Sequence, residues 1–214
     1  MRVRKKKNGA ARFEAASDII TTVEKSAPIM IDVEQTLGKY DEYRLEIGCG
    51  KGAFAAATAE ANENVGFLAM ELVRDVIIFA AEKAKAKELG NLKFVCGNAE
   101  VIEKTFPEGS FDVIYINFCD PWPKARHEKR RLTHRAFLEK FKKLLKEGGH
   151  IEFKTDNRPL FDFSLPEFEA AGFEIRDLTY DLHSSEYAKD NIMTEYERNF
   201  SAKGFNINRL TAYK

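Results

Sequence analysis

The sequence predicts an α/β fold: a mostly parallel central sheet with helices on both faces, closed by a C-terminal antiparallel strand pair. Three observations point there. Short apolar runs alternate with helical periodicity from residue 43 onward, a glycine-rich turn stands where the first run gives way to a helix, and the rhythm changes toward the end of the chain.

The apolar runs Tyr43 to Ile47, Val65 to Met70, Leu92 to Cys96, Asp112 to Phe118 and His150 to Lys154 are short and nearly continuous, as in strands buried on both faces. Helical patterns lie between them at Ala53 to Ala61, Arg74 to Leu89 and Thr133 to Lys146. Gly90 follows the second and Gly148-Gly149 the third, and glycine after the last periodic residue is a helix stop. Lys83, Lys85 and Lys87 gather at the end of the second helix, where cations favour the negative end of the dipole. Repeated strand, helix, strand units imply parallel strands joined by right-handed crossovers. Phe173 to Leu182 and Glu195 to Ala202 or beyond then read as two strands with no long helix between them, the expected antiparallel pair. Residues 1 to 40 carry the weakest signal.

With 214 residues, 44% hydrophobic and 12% aromatic, the chain can bury a full core, and one domain over 1–214 is expected. The 34 basic and 34 acidic residues cancel, which conceals two basic blocks. One is an N-terminal arm at about 1–12 that opens Met1-Arg2-Val3-Arg4-Lys5-Lys6-Lys7; the other is the segment 124 to 131. Both suit a polyanionic partner, and a solvated terminus is the plain alternative for the arm. Cys49, Cys96 and Cys119 form no C-x-x-C pair, so neither a zinc site nor a disulfide framework is signalled and a reduced, cytoplasmic protein is expected. No apolar run reaches the roughly 18 residues of a membrane span, so neither export nor anchoring is expected.

Asp120-Pro121-Trp122-Pro123-Lys124 ends the Asp112 to Phe118 run and leads into Ala125-Arg126-His127-Glu128-Lys129-Arg130-Arg131. Each proline fixes its own φ and keeps the preceding residue out of helix, so Asp120 and Trp122 are expected extended, in a stiff loop that presents a carboxylate and an aromatic plane. Earlier in the chain, Glu46-Ile47-Gly48-Cys49-Gly50-Lys51-Gly52 marks a strand-to-helix turn. Its G-x-G-x-G spacing departs from the dinucleotide fingerprint, and Glu46 better matches a cationic amino-acid moiety than a pyrophosphate, which favours S-adenosylmethionine over NAD. Glu71, 19 residues after Gly52, can accept both hydroxyls of a ribose. Asn98 can hydrogen-bond an adenine, or serve simply as a turn residue. All three positions fall at successive carboxyl ends of predicted parallel strands, where open α/β sheets bind ligands.

Taken together, Glu46-x-Gly48-x-Gly50-x-Gly52, Asn117 to Lys124, Arg126 to Leu132, Phe153-Lys154-Thr155-Asp156-Asn157 and Thr194-Glu195-Tyr196-Glu197 resemble the bacterial tRNA (guanine-N7-)-methyltransferase family over roughly residues 44 to 200. The resemblance implies a Rossmann-like methyltransferase fold and transfer of a methyl group from S-adenosylmethionine to the variable-loop guanine of tRNA. It implies cofactor contacts at Glu46, Gly48, Gly50, Gly52, Glu71, Asn98 and Asp120, with Asp120 catalytic. It also implies substrate contacts at Lys124, Arg126, His127, Lys129, Arg130, Arg131, Asp156, Thr194, Glu195, Tyr196 and Glu197. tRNA is the implied partner, with no membrane and no metal, the chain acting as monomer or homodimer. Cys119 stands where Ser is expected and Ala125 where Lys is usual, so one cation is missing from the RNA-facing run.

The chemistry fits these residues. Guanine N7 carries a free lone pair, so no strong base is needed; the site must align the reactants and offset the cation formed on the ring. Asp120, Asp156 and Glu197 can accept from the guanine N1 and exocyclic amine donors, leaving N7 toward the methyl. Trp122 stacks on the base or packs beneath its loop. Tyr196 reads as a structural anchor, Lys154 as a strand end, and the Phe-rich run Leu160 to Phe168 as core. His127, His134, His150 and His183 lack metal spacing. Two other readings stay open: an amino-methylating enzyme with an Asp-Pro loop, and a non-catalytic RNA-binding module.

Overall fold

The structure, a computed structural model, describes residues 8–214. Met1 to Lys7, the core of the expected basic arm, lie outside the described residues. The chain forms two compact units that divide after Pro107.

The first unit carries α1 (Gly9–Glu14), β1 (Ile20–Val23), α2 (Val33–Leu37), β2 (Glu42–Ile47), α3 (Ala53–Ala61), β3 (Val65–Glu71), α4 (Arg74–Ala86) and β4 (Leu92–Gly97). Its strands run parallel in the order β1-β4-β3-β2. Leu45, Phe67, Leu68 and Phe94 are fully buried, which is why the expected strands β2, β3 and β4 read as nearly unbroken apolar runs. The helix expected to reach Leu89 ends at Ala86, because Glu88 rather than Gly90 takes the left-handed backbone, at φ 53°. The end of the expected arm is not free either: Arg12 grips Glu82 of α4 through two hydrogen bonds of 2.7 and 2.6 Å, and Phe13 is buried.

The second unit carries β5 (Phe111–Asn117), α5 (Arg135–Leu144), β6 (Leu145–Thr155), α6 (Arg158–Ala170), β7 (Glu174–Thr179), α7 (Glu195–Ser201) and β8 (Asn208–Tyr213). Its strand order is β5-β6-β8-β7, with β5 and β6 parallel and β8 antiparallel to both β6 and β7. The rings of Phe161 and Phe168 on α6 lie 5.9 and 6.2 Å from that of Phe153, so the Phe-rich run is core as expected.

Two expectations fail here. Glu195 to Ala202 is not a strand: Thr194 Oγ1 accepts from Glu197 N at 2.9 Å while Glu197 Oε2 accepts from Thr194 N at 3.3 Å, a capping box that starts α7. The antiparallel pair exists, but its second strand is β8. Nor do Gly148 and Gly149 stop a helix. α5 ends at Leu144 and the glycines lie within β6, where pairing slips from Phe111 with Leu145 to Val113 with His150. A Cβ on Gly149 would stand 2.9 Å from the Asp112 carbonyl oxygen, so that irregularity requires glycine. No helix among the described residues is long and apolar enough to cross a membrane.

Candidate functional site

In the first unit the candidate cofactor residues gather at the carboxyl ends of β2, β3 and β4. Gly48, Gly50 and Gly52 all have left-handed backbones, at φ 80°, 55° and 67°, which is why the turn alternates glycine. Gly48 N–H and Cys49 N–H donate to the Met70 carbonyl at 2.8 and 3.0 Å, tying the turn to the end of β3. A Cβ on Gly52 would fall 2.5 Å from that of Ala80, so this glycine lets α3 pack against α4. A Cβ on Gly48 or Gly50 would meet no described atom within 4 Å, so a ligand can approach the backbone there.

Glu71 does more than end a strand. Its two carboxylate oxygens accept from Gly50 N–H at 3.0 Å and Val73 N–H at 2.9 Å, bracing the glycine turn from the neighbouring strand. Glu46 is 2% exposed on β2. The buried thiol of Cys49 in the turn is pushed well above its ordinary pKa by burial and then by the carboxylates of Glu46 and Glu71. With Glu46 two residues before its first glycine and Glu71 bonded to Gly50 N–H, the turn carries two carboxylates, which suits a cationic sulfonium and ammonium better than a pyrophosphate. Asn98 Oδ1 accepts from Glu100 N at 2.9 Å and caps a short 3-10 turn, leaving its amide as a donor. Buried carboxylate, open glycine backbone and strand-end acid are a set of partners that fits S-adenosylmethionine.

In the second unit, Asp120 follows β5 and Asp156 follows β6, adjacent parallel strands paired up to Asn117 with Lys154. Asp120 is exposed. Phe118, whose N–H donates to the Lys154 carbonyl at 2.8 Å, has φ 52°, and Trp122 has φ 41°. Trp122 is thus not extended as expected. Pro123 bars the right-handed helical region, and the backbone takes the left-handed one, its carbonyl accepting from Arg131 Nη2 at 3.1 Å. Left-handed backbone at two non-glycine residues costs about 1–3 kcal/mol each, and such strain clusters at functional sites. Trp122 packs edge-on against His127 with 5.7 Å between ring centroids, and the Arg130 guanidinium lies 4.9 Å from its ring. The Cys119 thiol is pushed up to about 12 by burial and by Asp120, which leaves it un-ionised beside the acid.

The basic segment Ala125–Arg130 is a 3-10 turn on which Lys124, Arg126, Lys129 and Arg130 are exposed and His127 half-buried. Arg131 differs: it reaches back to the Asp120 loop, donating to the carbonyls of Pro121 at 3.0 Å and Trp122 at 3.1 Å.

Thr194 and Glu197, expected to contact substrate, are 8% and 0% exposed. Glu197 accepts from Lys154 Nζ at 2.9 Å and from Asn191 Nδ2 at 2.6 Å, with His183 Nε2 3.4 Å away. Lys154 completes its donors on Asn191 Oδ1 at 2.9 Å and the Ile192 carbonyl at 3.0 Å. In this structure Glu197 anchors α7, and Lys154 is no plain strand end. Glu195 and Tyr196 remain exposed on the first turn of α7. The Tyr196 ring stacks on Phe200 at 4.1 Å and lies 5.0 Å from Phe118, and its hydroxyl is 3.4 Å from Asp156 Oδ2. Burial and Asp156 both raise the Tyr196 pKa, keeping the phenol protonated. Sequence reasoning missed Asn191 and His183, whose partners are set only in three dimensions; the capping box at Thr194 was legible as an S/T-x-x-E pattern. Among the described residues no group of His, Cys, Asp or Glu is arranged to hold a metal ion.

A carboxylate-flanked glycine turn at the end of parallel strands, on this fold, defines a Rossmann-like methyltransferase. Residues 41–210 match the family model described as putative methyltransferase. The 16S rRNA methyltransferase KamB shares the fold with a TM-score of 0.65 at 19% identity, over 90% of this chain and 97% of that one. The chain belongs to the tRNA (guanine-N(7)-)-methyltransferase family. It is 45% identical to the Lachnoclostridium phytofermentans protein of that name over 87% of this chain and 90% of the relative. It is 42% identical to the one from Clostridium tetani over 99% of each.

Proposed function

We propose that this chain transfers the methyl group of S-adenosylmethionine to N7 of the variable-loop guanine of tRNA, forming 7-methylguanosine. The observation that carries the reading is the match, over nearly the whole chain, to relatives named for this reaction.

S-adenosylmethionine, when bound, supplies a methyl group on a positively charged sulfur. Glu46 and the glycine turn would hold its charged amino-acid end, Glu71 its ribose and Asn98 its adenine. Bound S-adenosylmethionine would give up that methyl to the N7 lone pair, its sulfur keeping the electron pair of the broken bond, and would leave the positive charge on the guanine ring. No proton has to leave N7 first, so the protein's task is alignment and charge compensation. Asp120 is placed in our reading beside the developing charge. Asp156 accepts from the guanine amine donors, aided by Tyr196, and Thr194 and Glu197 serve that contact by fixing the first turn of α7. Lys124, Arg126, His127, Lys129 and Arg130 face tRNA phosphates. We place the enzyme in the cytoplasm with its tRNA, as a monomer or homodimer.

The test is to incubate the protein with labelled S-adenosylmethionine and unmodified tRNA, digest the RNA and identify the labelled nucleoside. 7-Methylguanosine is expected. Label on an exocyclic amine would favour the amino-methylating alternative, and no label in tRNA would leave an RNA-binding module.

A further inference from the structure

Arg131 belongs by sequence to the basic run, yet its side chain points away from that role. Its guanidinium carbon lies over the Phe163 ring of α6, 4.1 Å from the ring centre, while Nε and Nη2 donate to the carbonyls of Pro121 and Trp122. Its own backbone closes the 3-10 turn, with its N–H donating to the Glu128 carbonyl at 3.0 Å. Three pieces therefore meet on one residue: the loop that carries Asp120, the exposed basic turn, and the helix that begins just after Asp156.

We propose that Arg131 is a positioning residue: it bolts the Asp120 loop to α6, holding the carboxylates that follow β5 and β6 in a fixed relation and coupling the RNA-facing turn to them. This rests on the functional reading above. The loop needs such a fastener because Phe118 and Trp122, on either side of Asp120, both hold left-handed backbones that would relax if unsupported. A planar, always-charged fork can bridge two carbonyls and stack on an aromatic ring at once; a lysine ammonium cannot.

The chain's one tryptophan, Trp122, reports on this loop directly. The experiment compares wild type with Arg131→Lys and Phe163→Leu, the second removing the ring under the guanidinium without altering charge. Acrylamide quenching of Trp122 fluorescence is measured on the free protein, with thermal unfolding as the control that each variant is folded. Quenching is expected to rise in both variants. The turnover number at saturating tRNA should fall about ten- to a hundredfold in Arg131→Lys, as for displacement of a catalytic group by about an ångström. The KM for tRNA should stay within about twofold, because no phosphate contact is removed. Wild-type quenching in both variants would overturn the proposal. So would a weakened tRNA affinity in Arg131→Lys with turnover unchanged, which is the behaviour of a phosphate contact. Because quenching is read without RNA, a wild-type enzyme that fails to form 7-methylguanosine would sink the functional reading and leave the loop measurement standing.

Discussion

Lys154 and Glu197, 43 residues apart in sequence, form an ion pair of 2.9 Å in which the two side chains are 3% and 0% exposed. Both charges are desolvated, and both are fully partnered by groups from the segment just before α7. Such a pair is worth little over a well-packed apolar substitute, but breaking it strands a buried charge. Glu197→Ala should therefore lower unfolding free energy by about 3–5 kcal/mol. Chemical denaturation measures this, and an unchanged midpoint would show that Glu197 is free to face substrate instead.

Asp120→Ala should lower turnover far more than it weakens tRNA binding. Loss of one electrostatic contact to a developing charge costs on the order of 3 kcal/mol, about a hundredfold or more in rate. Single-turnover kinetics on unmodified tRNA provide the check; a near-normal rate would remove Asp120 from the chemistry.

Glu71→Ala should raise the dissociation constant for S-adenosylmethionine about tenfold or more, since a charged hydrogen bond is worth roughly 1.5–3 kcal/mol. Two effects act together: the proposed ribose contact is lost, and the brace on Gly50 N–H and Val73 N–H goes with it. tRNA affinity should be nearly unchanged. Calorimetry showing wild-type cofactor affinity would place Glu71 outside the site.

If Lys129 and Arg130 meet tRNA phosphates, affinity must fall steeply with salt through counterion release, and the double variant Lys129→Ala, Arg130→Ala should flatten that dependence. Roughly one unit of slope per lost contact, in log affinity against log salt, is the scale to expect. Superimposable slopes would make these cations a solvated face and turn attention to the N-terminal arm Met1 to Lys7.

Glu167 accepts from Arg135 N at 2.7 Å and from its guanidinium at 2.6 Å, which holds the carboxyl below its ordinary value of 4.5. A carboxyl depressed on folding stabilises the native state above the unfolded pKa and loses that contribution as pH falls through the folded one. Glu167→Gln should thus be less stable than wild type at neutral pH, with the gap narrowing below about pH 4.5. A gap independent of pH from 7 to 3 would contradict the assignment.

The sequence by itself determined the parallel strands β2 to β5 and the end of β6, which read as apolar runs, but not β1, whose four residues Ile20–Val23 mix buried and exposed positions. It also determined the glycine turn, because left-handed backbone at alternate positions leaves few residues but glycine. Glu71 and Asp120 were legible because a charge that ends an apolar run is conspicuous, Glu46 because it stands two residues before the first glycine, and Asp156 only through the family resemblance. What only the tertiary structure decided was which charges face outward. Arg130 and Arg131 are neighbours of one type, yet one lies exposed beside the Trp122 ring while the other is drawn back onto two carbonyls and Phe163. Glu195 and Glu197 differ in the same way, one exposed and one buried against Lys154. Local sequence fixes backbone preference and composition, but a charged side chain's role depends on partners brought from tens of residues away, and no pattern along the chain encodes that meeting.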